Sequence, residues 1–296
     1  MRAILIAAAW ALVAGTVFAQ PPEAVPATLT RPHIVAPGET LLDIARANGL
    51  GYVETIAANP TIDPWLPPEG QPVTLPAIHL PPDAPHRGIV INLGDMRLYY
   101  YRTNAEPLTF PIGIGRSAAA LGPATTMVMA KRHWPVWHVP ASILQEHPDL
   151  PDAVEPGPDN PLGEYSLDLR LPGILIHGTN RPYGIGRRVS HGCIHLYPED
   201  IATLYPLVRV GTPVTVVVQT AKLGWLDGQL WLEVHPSGEQ ADALEEHQPM
   251  VPEAIPGLDL AIAAAAGDRL STVDWSIVNR AVAERRSVPV RITTQP

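Results

Sequence analysis

Apolar residues recur with changing period along this chain, and each change of period marks a part. After Met1-Arg2 an apolar run from Ala3 to Phe18 is interrupted only by Gly15 and Thr16, and Val17-Phe18-Ala19 sets small residues at the two positions that a signal peptidase reads. The run is short for a bilayer crossing, which takes about 20 apolar residues. Residues 1–19 therefore read as a cleaved export signal, and the Pro- and Ala-rich residues 20–30 as a linker.

From 31 to 77 the period alternates between strand and helix. His33-Ile34-Val35 suits a short strand, and Thr40 with Asp43 three residues on forms a capping-box pattern. Leu41, Leu42, Ile44 and Ala45 then follow helical spacing up to Gly49, Val53 to Ala58 suits a second helix, and Gln71 to Pro76 an edge strand. The prediction is a β-α-α-β module in which no residue has a catalytic look. Pro81-Pro82-Asp83-Ala84-Pro85 then gives residues 78–86 the character of a hinge.

Residues 87–219 are dominated by strand patterns. Gly88–Leu93 and Arg97–Tyr101 flank a turn at Gly94-Asp95; Thr109–Ile114, Thr125–Ala130, Ser166–Arg170, Gly173–Ile176 and the β-branched run Val214–Val218 follow. Glu146 to Pro161 holds five prolines and three aspartates and reads as a long loop or lid. Pro198 to Leu207 suits a helix with Glu199 and Asp200 at its positive end. The last part, 220–296, is read as a strand at Leu230–Val234, an acidic Pro-rich stretch past Pro236, helices at Leu258–Ala266 and Val273–Glu284, and a short final strand. The fold class expected is α+β: a β-rich domain of mixed sandwich or barrel-like character with short helices, preceded by the small module.

Composition narrows what such a chain can do. Among 296 residues, 29 are acidic and 20 basic, a formal charge of −9, and only Lys131 and Lys222 are lysines. Nucleic-acid binding needs a basic face to neutralise phosphates, so no nucleic-acid partner is expected. A hydrophobic fraction of 46% with 17% charged residues excludes a disordered chain despite 35 prolines. The single cysteine excludes an internal disulfide framework and a four-cysteine zinc site.

That cysteine sits in the densest chemistry of the sequence. Ile176-His177-Gly178-Thr179 ends a strand pattern; a Gly- and Arg-rich loop follows to Val189, then Ser190-His191-Gly192-Cys193-Ile194-His195. An exported lone cysteine is a buried small hydrophobe, a partner in an intermolecular disulfide, a metal ligand or a nucleophile. His191, Cys193 and His195 alternate and could share one strand face with His177 as a fourth zinc ligand, although Gly192 suits an irregular backbone. Flanking histidines and a nearby helix start, which would favour a thiolate, point to nucleophilic catalysis, with a distant histidine folded back as base.

The pattern H-G-x(11)-S-H-G-C, followed by I-x-L, resembles the signature of the L,D-transpeptidases, the YkuD-type catalytic domain; F-P-I-G-I-G, P-D-N-P-L-G-x-Y and G-T-P-V agree with it. H-x-V-x-P-G-E-T-L-x-D-I-A, with A-A-N-P and a closing V-T-L-P, resembles a LysM module, a binder of N-acetylglucosamine-containing wall glycan. The resemblance implies a periplasmic peptidoglycan enzyme open to carbapenems. Cys193 would attack the carbonyl between diaminopimelate and D-Ala of a stem tetrapeptide, and His177 would carry the proton. The Gly178 carbonyl would orient His177, and the amides of His191, Gly192 and Cys193 would form the oxyanion hole, with Ser190 and the His191 side chain supporting the site. An amine of a second diaminopimelate, or a lysine of an outer-membrane lipoprotein, would then resolve the thioester; no cofactor and no metal is implied.

Arg181, Arg187, Arg188, Tyr183 and His195 are the candidate substrate-binding residues around this loop. Two departures stand out. His195 occupies the place where the family group usually carries Arg, and Gly122-Pro123-Ala124-Thr125-Thr126 replaces a T-P-x-G-x-F/Y turn. They keep open a wall-binding protein with an inactive domain. An L,D-carboxypeptidase, in which water resolves the thioester, is the other alternative.

Overall fold

The computed structural model describes residues 29–115, 122–188 and 193–294. The export signal and most of the linker, residues 1–28, lie outside them, as do Ser190, His191 and Gly192.

The first elements follow the expected order: β1 (Thr30–Ile34), α1 (Leu41–Ala47), α2 (Tyr52–Ala58) and β2 (Pro72–Pro76), with β1 and β2 antiparallel. Thr40 caps α1 as its spacing predicts, its hydroxyl accepting from the Asp43 amide while Asp43 accepts from the Thr40 amide. A cap of this kind is worth about 1 kcal/mol.

Then come β3 (Gly88–Asn92), β4 (Arg97–Tyr101), β5 (Leu108–Pro111), β6 (Gly113–Ile114), β7 (Ala124–His133), β8 (Trp137–His138), α3 (Ala141–Glu146) and β9 (Ala153–Val154). They are followed by β10 (Tyr165–Leu169), β11 (Leu175–His177), β12 (Ile194–His195), α4 (Pro198–Leu204) and β13 (Pro213–Val217). Nine of these strands form one sheet in the order β5-β4-β3-β13-β7-β10-β11-β12-β6, antiparallel except for the β3–β13 and β11–β12 pairs. The strands at its two ends, β5 and β6, are separated in the chain by Ile112 alone. A sheet whose edges are joined by one residue must curl back on itself, which leaves only short edges to protect. Ile112 is wholly buried at that seam. The single strand expected over Thr109–Ile114 is thus two, because it serves both edges.

The expected lid from Glu146 to Pro161 is anchored at its base. β8 pairs with β9, and buried Asn160 donates to the carbonyls of Pro135 and Val154 while accepting from the Leu162 amide.

The final part holds β14 (Ala221–Leu226), β15 (Gln229–Val234), α5 (Gly238–Glu245), α6 (Leu258–Ala266), α7 (Trp275–Glu284) and β16 (Val290–Arg291). β14, β15 and β16 make a sheet over which α6 and α7 pack, with Leu230, Leu232, Ile262, Val278 and Ile292 in a core of their own. β14 and α5 were not expected from the sequence.

The reading of 78–86 as a hinge needs correction. Leu80 is buried with Leu29 and Trp231, its amide donates to Glu233, and the Asp83 amide and carbonyl pair with the Gln219 side chain. One hydrophobic core runs from Leu41, Ile44 and Val53 of the first module through Ile89, Leu98, Ile176 and Val216 of the large sheet. The prolines thus cross a packed junction.

Candidate active site

His177 is the last residue of β11, and strand pairing fixes what stands beside it. β11 and β12 run parallel, with Ile176 opposite Ile194 and His177 opposite His195. The two imidazoles lie 4.5 Å apart between ring centres, inclined at 41°. His177 is 3% exposed.

Its orientation follows from one hydrogen bond. Nδ1 lies 2.6 Å from the Gly178 carbonyl oxygen, which can only accept, so Nδ1 carries the hydrogen and Nε2 keeps a lone pair in the neutral ring. Gly178 is held in turn by its amide on the Tyr165 carbonyl. Burial, and then the neighbouring His195, hold the His177 pKa well below 6.5. Burial also pushes His195 down to about 4, so it stands uncharged where an Arg would bring a permanent cation.

Cys193 directly precedes β12, and its carbonyl accepts from the Gly115 amide. Its Sγ lies 3.7 Å from the Gly173 carbonyl oxygen, which takes the thiol as donor. Burial raises the thiol above its ordinary value and a contact with the Leu175 backbone only partly offsets this. Burial thus disfavours the charged form of both the thiol and the His177 imidazole, the opposite of the expected helix-stabilised thiolate. Beside Gly173 and Leu175 opens a cavity of about 350 Å³, lined also by Met129, Leu169 and Leu171.

The loop residues divide. Tyr183 is exposed within the turn Pro182–Gly184, and exposed Arg181 precedes it with its amide on the Thr179 hydroxyl. Arg187 is not free to meet a substrate carboxylate, because its Nε lies 2.6 Å from Glu245 Oε2. Arg188 packs against Gly238 at the start of α5. Both are corrected from the substrate-binding set, because each is engaged by α5. Glu245 was missed in the sequence, although Ser237 and Gln240 carry the S-x-x-Q capping box that starts its helix. Among the described residues no three His, Cys, Asp or Glu side chains converge as metal ligands.

Comparison with known proteins decides the family. The model of the L,D-transpeptidase catalytic domain, YkuD, matches residues 86–216. Probable L,D-transpeptidase ErfK/SrfK of Escherichia coli strain K12 is 37% identical over 90% of this chain and 86% of its own. This chain belongs to the L,D-transpeptidase family. Two further relatives from the same strain agree: probable L,D-transpeptidase YcfS is 39% identical over 74% of this chain and 68% of its own, and probable L,D-transpeptidase YbiS 37% over 82% and 80%.

Proposed function

We propose that this L,D-transpeptidase family member transfers an acyl group between peptidoglycan stem peptides, with Cys193 as nucleophile and His177 as base. The observation that carries the reading is the His177–Gly178 hydrogen bond: Nδ1 donates to Gly178 and leaves Nε2 basic beside the strand that Cys193 directly precedes. Nε2 takes the thiol proton as Sγ attacks the carbonyl between diaminopimelate and the terminal D-Ala. The amides of His191, Gly192 and Cys193 stabilise the oxyanion, and His177 returns the proton to the leaving D-Ala amine. The thioester is then resolved by an amine, either a second diaminopimelate or a lipoprotein lysine. Arg181 and Tyr183, exposed on the loop, and the cavity beside Gly173 are the surfaces offered to the stem peptide. The module at 31–77 serves as a LysM-type glycan contact, and residues 1–19 direct the chain to the periplasm.

Intact mass measurement after incubation with a carbapenem tests the reading. Wild type is expected to gain one covalent adduct and Cys193→Ala none; an unmodified wild type would leave a wall-binding protein. Digestion of disaccharide tetrapeptide separates transfer from hydrolysis, since tripeptide without cross-linked dimer would mean that water resolves the thioester.

A further inference from the structure

The loop between His177 and Cys193 is gripped from two sides by parts of the chain outside the large sheet. On one side stands α2. The amides of Tyr52 and Val53 donate to the carbonyls of Ile185 and Gly186, each at 3.2 Å. Gly186 has φ +77°, and a Cβ there would lie 2.1 Å from the Tyr52 nitrogen, so only glycine permits this approach. On the other side stands α5, whose Glu245 binds Arg187. The Arg187 guanidinium lies 5.2 Å from the centre of the Tyr52 ring, so it is stacked on the first module while paired to the last.

Backbone hydrogen bonds connect this clamp to the nucleophile. The Arg187 carbonyl accepts from the Ile114 amide, and the Cys193 carbonyl accepts from the next amide, that of Gly115. Ile114 is also the strand partner of Ile194, the residue after Cys193. Consecutive amides at the end of β6 thus hold both ends of the segment that presents the thiol.

We propose that Glu245 is a positioning residue for acylation: by holding Arg187 against Tyr52 it sets the place of Cys193. The first module and α5 are then parts of the catalytic apparatus. Nε and Nη2 of Arg187 both reach Glu245 Oε2, which fixes the guanidinium plane as solvent would not. The proposal rests on the acyl-transfer reading in one respect, that Cys193 is the group acylated.

The test compares carbapenem acylation rate and unfolding midpoint in wild type, Glu245→Gln, the exchange Arg187→Glu with Glu245→Arg, and Val278→Ala. Val278 is buried in the separate core of the last part, so that variant lowers stability without touching the clamp. Glu245→Gln is expected to acylate about tenfold more slowly, as for a misplacement well under 1 Å. Folded Val278→Ala is expected to acylate like wild type, and the exchange, which restores an ion pair but takes the guanidinium off the Tyr52 ring, to stay as slow as Glu245→Gln. A Glu245→Gln protein no slower than Val278→Ala at a matched midpoint overturns the proposal. Should Glu245→Gln not fold, Arg187→Lys takes its place, keeping the charge while losing the fork, and a wild-type rate there overturns the proposal equally. A wild type that takes no adduct fails the acyl-transfer reading itself, and the proposal with it.

Discussion

Two buried clusters of titratable groups in this protein are treated in opposite ways. At the candidate active site His177 and His195 face each other and Cys193 directly precedes β12, without a counter-ion among the described residues, and burial disfavours the charged form of all three. At the junction of module, large sheet and final part, charges are paired. Glu54 takes Arg97 Nη1 at 2.6 Å, Lys222 lies 2.7 Å from Asp95 and 3.2 Å from Glu233, and His235 lies 2.8 Å from Glu233. Burial alone would raise the Glu233 carboxyl, but Lys222 and His235 outweigh it and hold the group well below the ordinary range. His79, wedged between Glu54 and Glu233, is nevertheless lowered, since burial and the Arg97 charge exceed the pull of the two carboxylates. Charge is thus set by the balance of burial against partners, which falls to the partners at Glu233 and to burial at His79. A neutral pair suits a nucleophile that must shed its proton only during attack. A paired network suits a joint, because separating its buried partners strands a charge.

The largest effect is expected from breaking the paired side. Lys222→Met leaves Asp95 and Glu233, both fully buried, without their shared cation. Removing one partner from a buried ion pair costs about 3–5 kcal/mol. Denaturant unfolding should show a loss of that size, and one below about 1 kcal/mol would mean that the network is not ionised as argued.

The neutral side is sharpened by pH. A solvated imidazole falls from mostly neutral at pH 7.5 to about one-tenth neutral at pH 5.5, which would slow general-base acylation about tenfold. The depressed His177 keeps its lone pair through that range, so the carbapenem acylation rate is expected to fall less than twofold. A tenfold fall would show that the base is solvated.

How much of this was legible follows from where each contact lies in sequence. β1, α1, α2 and β2 could be read because their caps, periods and stops are local, as at Thr40–Asp43 and Gly49. The His177–Gly178 hydrogen bond is local too, and the signature motif pointed to it. The junction could not be read. Glu54 meets Arg97 across 43 positions and Leu80 meets Glu233 across 153, and no spacing rule joins such residues. Arg187 looked like a substrate contact for the same reason, since its partner lies 58 positions away. The prolines of 81–85 looked like a hinge because composition records backbone stiffness but not what packs against it.

Asp200 gives the smallest effect and the finest test of the comparison, because it falls between the two cases. It lies in the first turn of α4 beside Glu199, and the two cations that pull on it are spent elsewhere, Arg97 on Glu54 and Arg46 on Glu199 through Nε at 2.8 Å and Nη2 at 3.0 Å. Its Oδ2 is buried without a hydrogen-bond partner. Burial first, then the Glu199 charge, push its carboxyl up to about 7 from 3.8. The folded protein therefore holds this proton more tightly than the unfolded chain. The favourable contribution is complete below pH 3.8 and is lost as pH rises through 7. Asp200→Asn removes that loss. The substitution should leave the unfolding midpoint nearly unchanged at pH 3, below both values, and raise it at pH 8. With solvent screening at a partly exposed site the gain is about 1 kcal/mol, or a few degrees. A variant less stable than wild type at pH 8 would mean that Asp200 is ionised and finds a cation there, which would move it to the paired class.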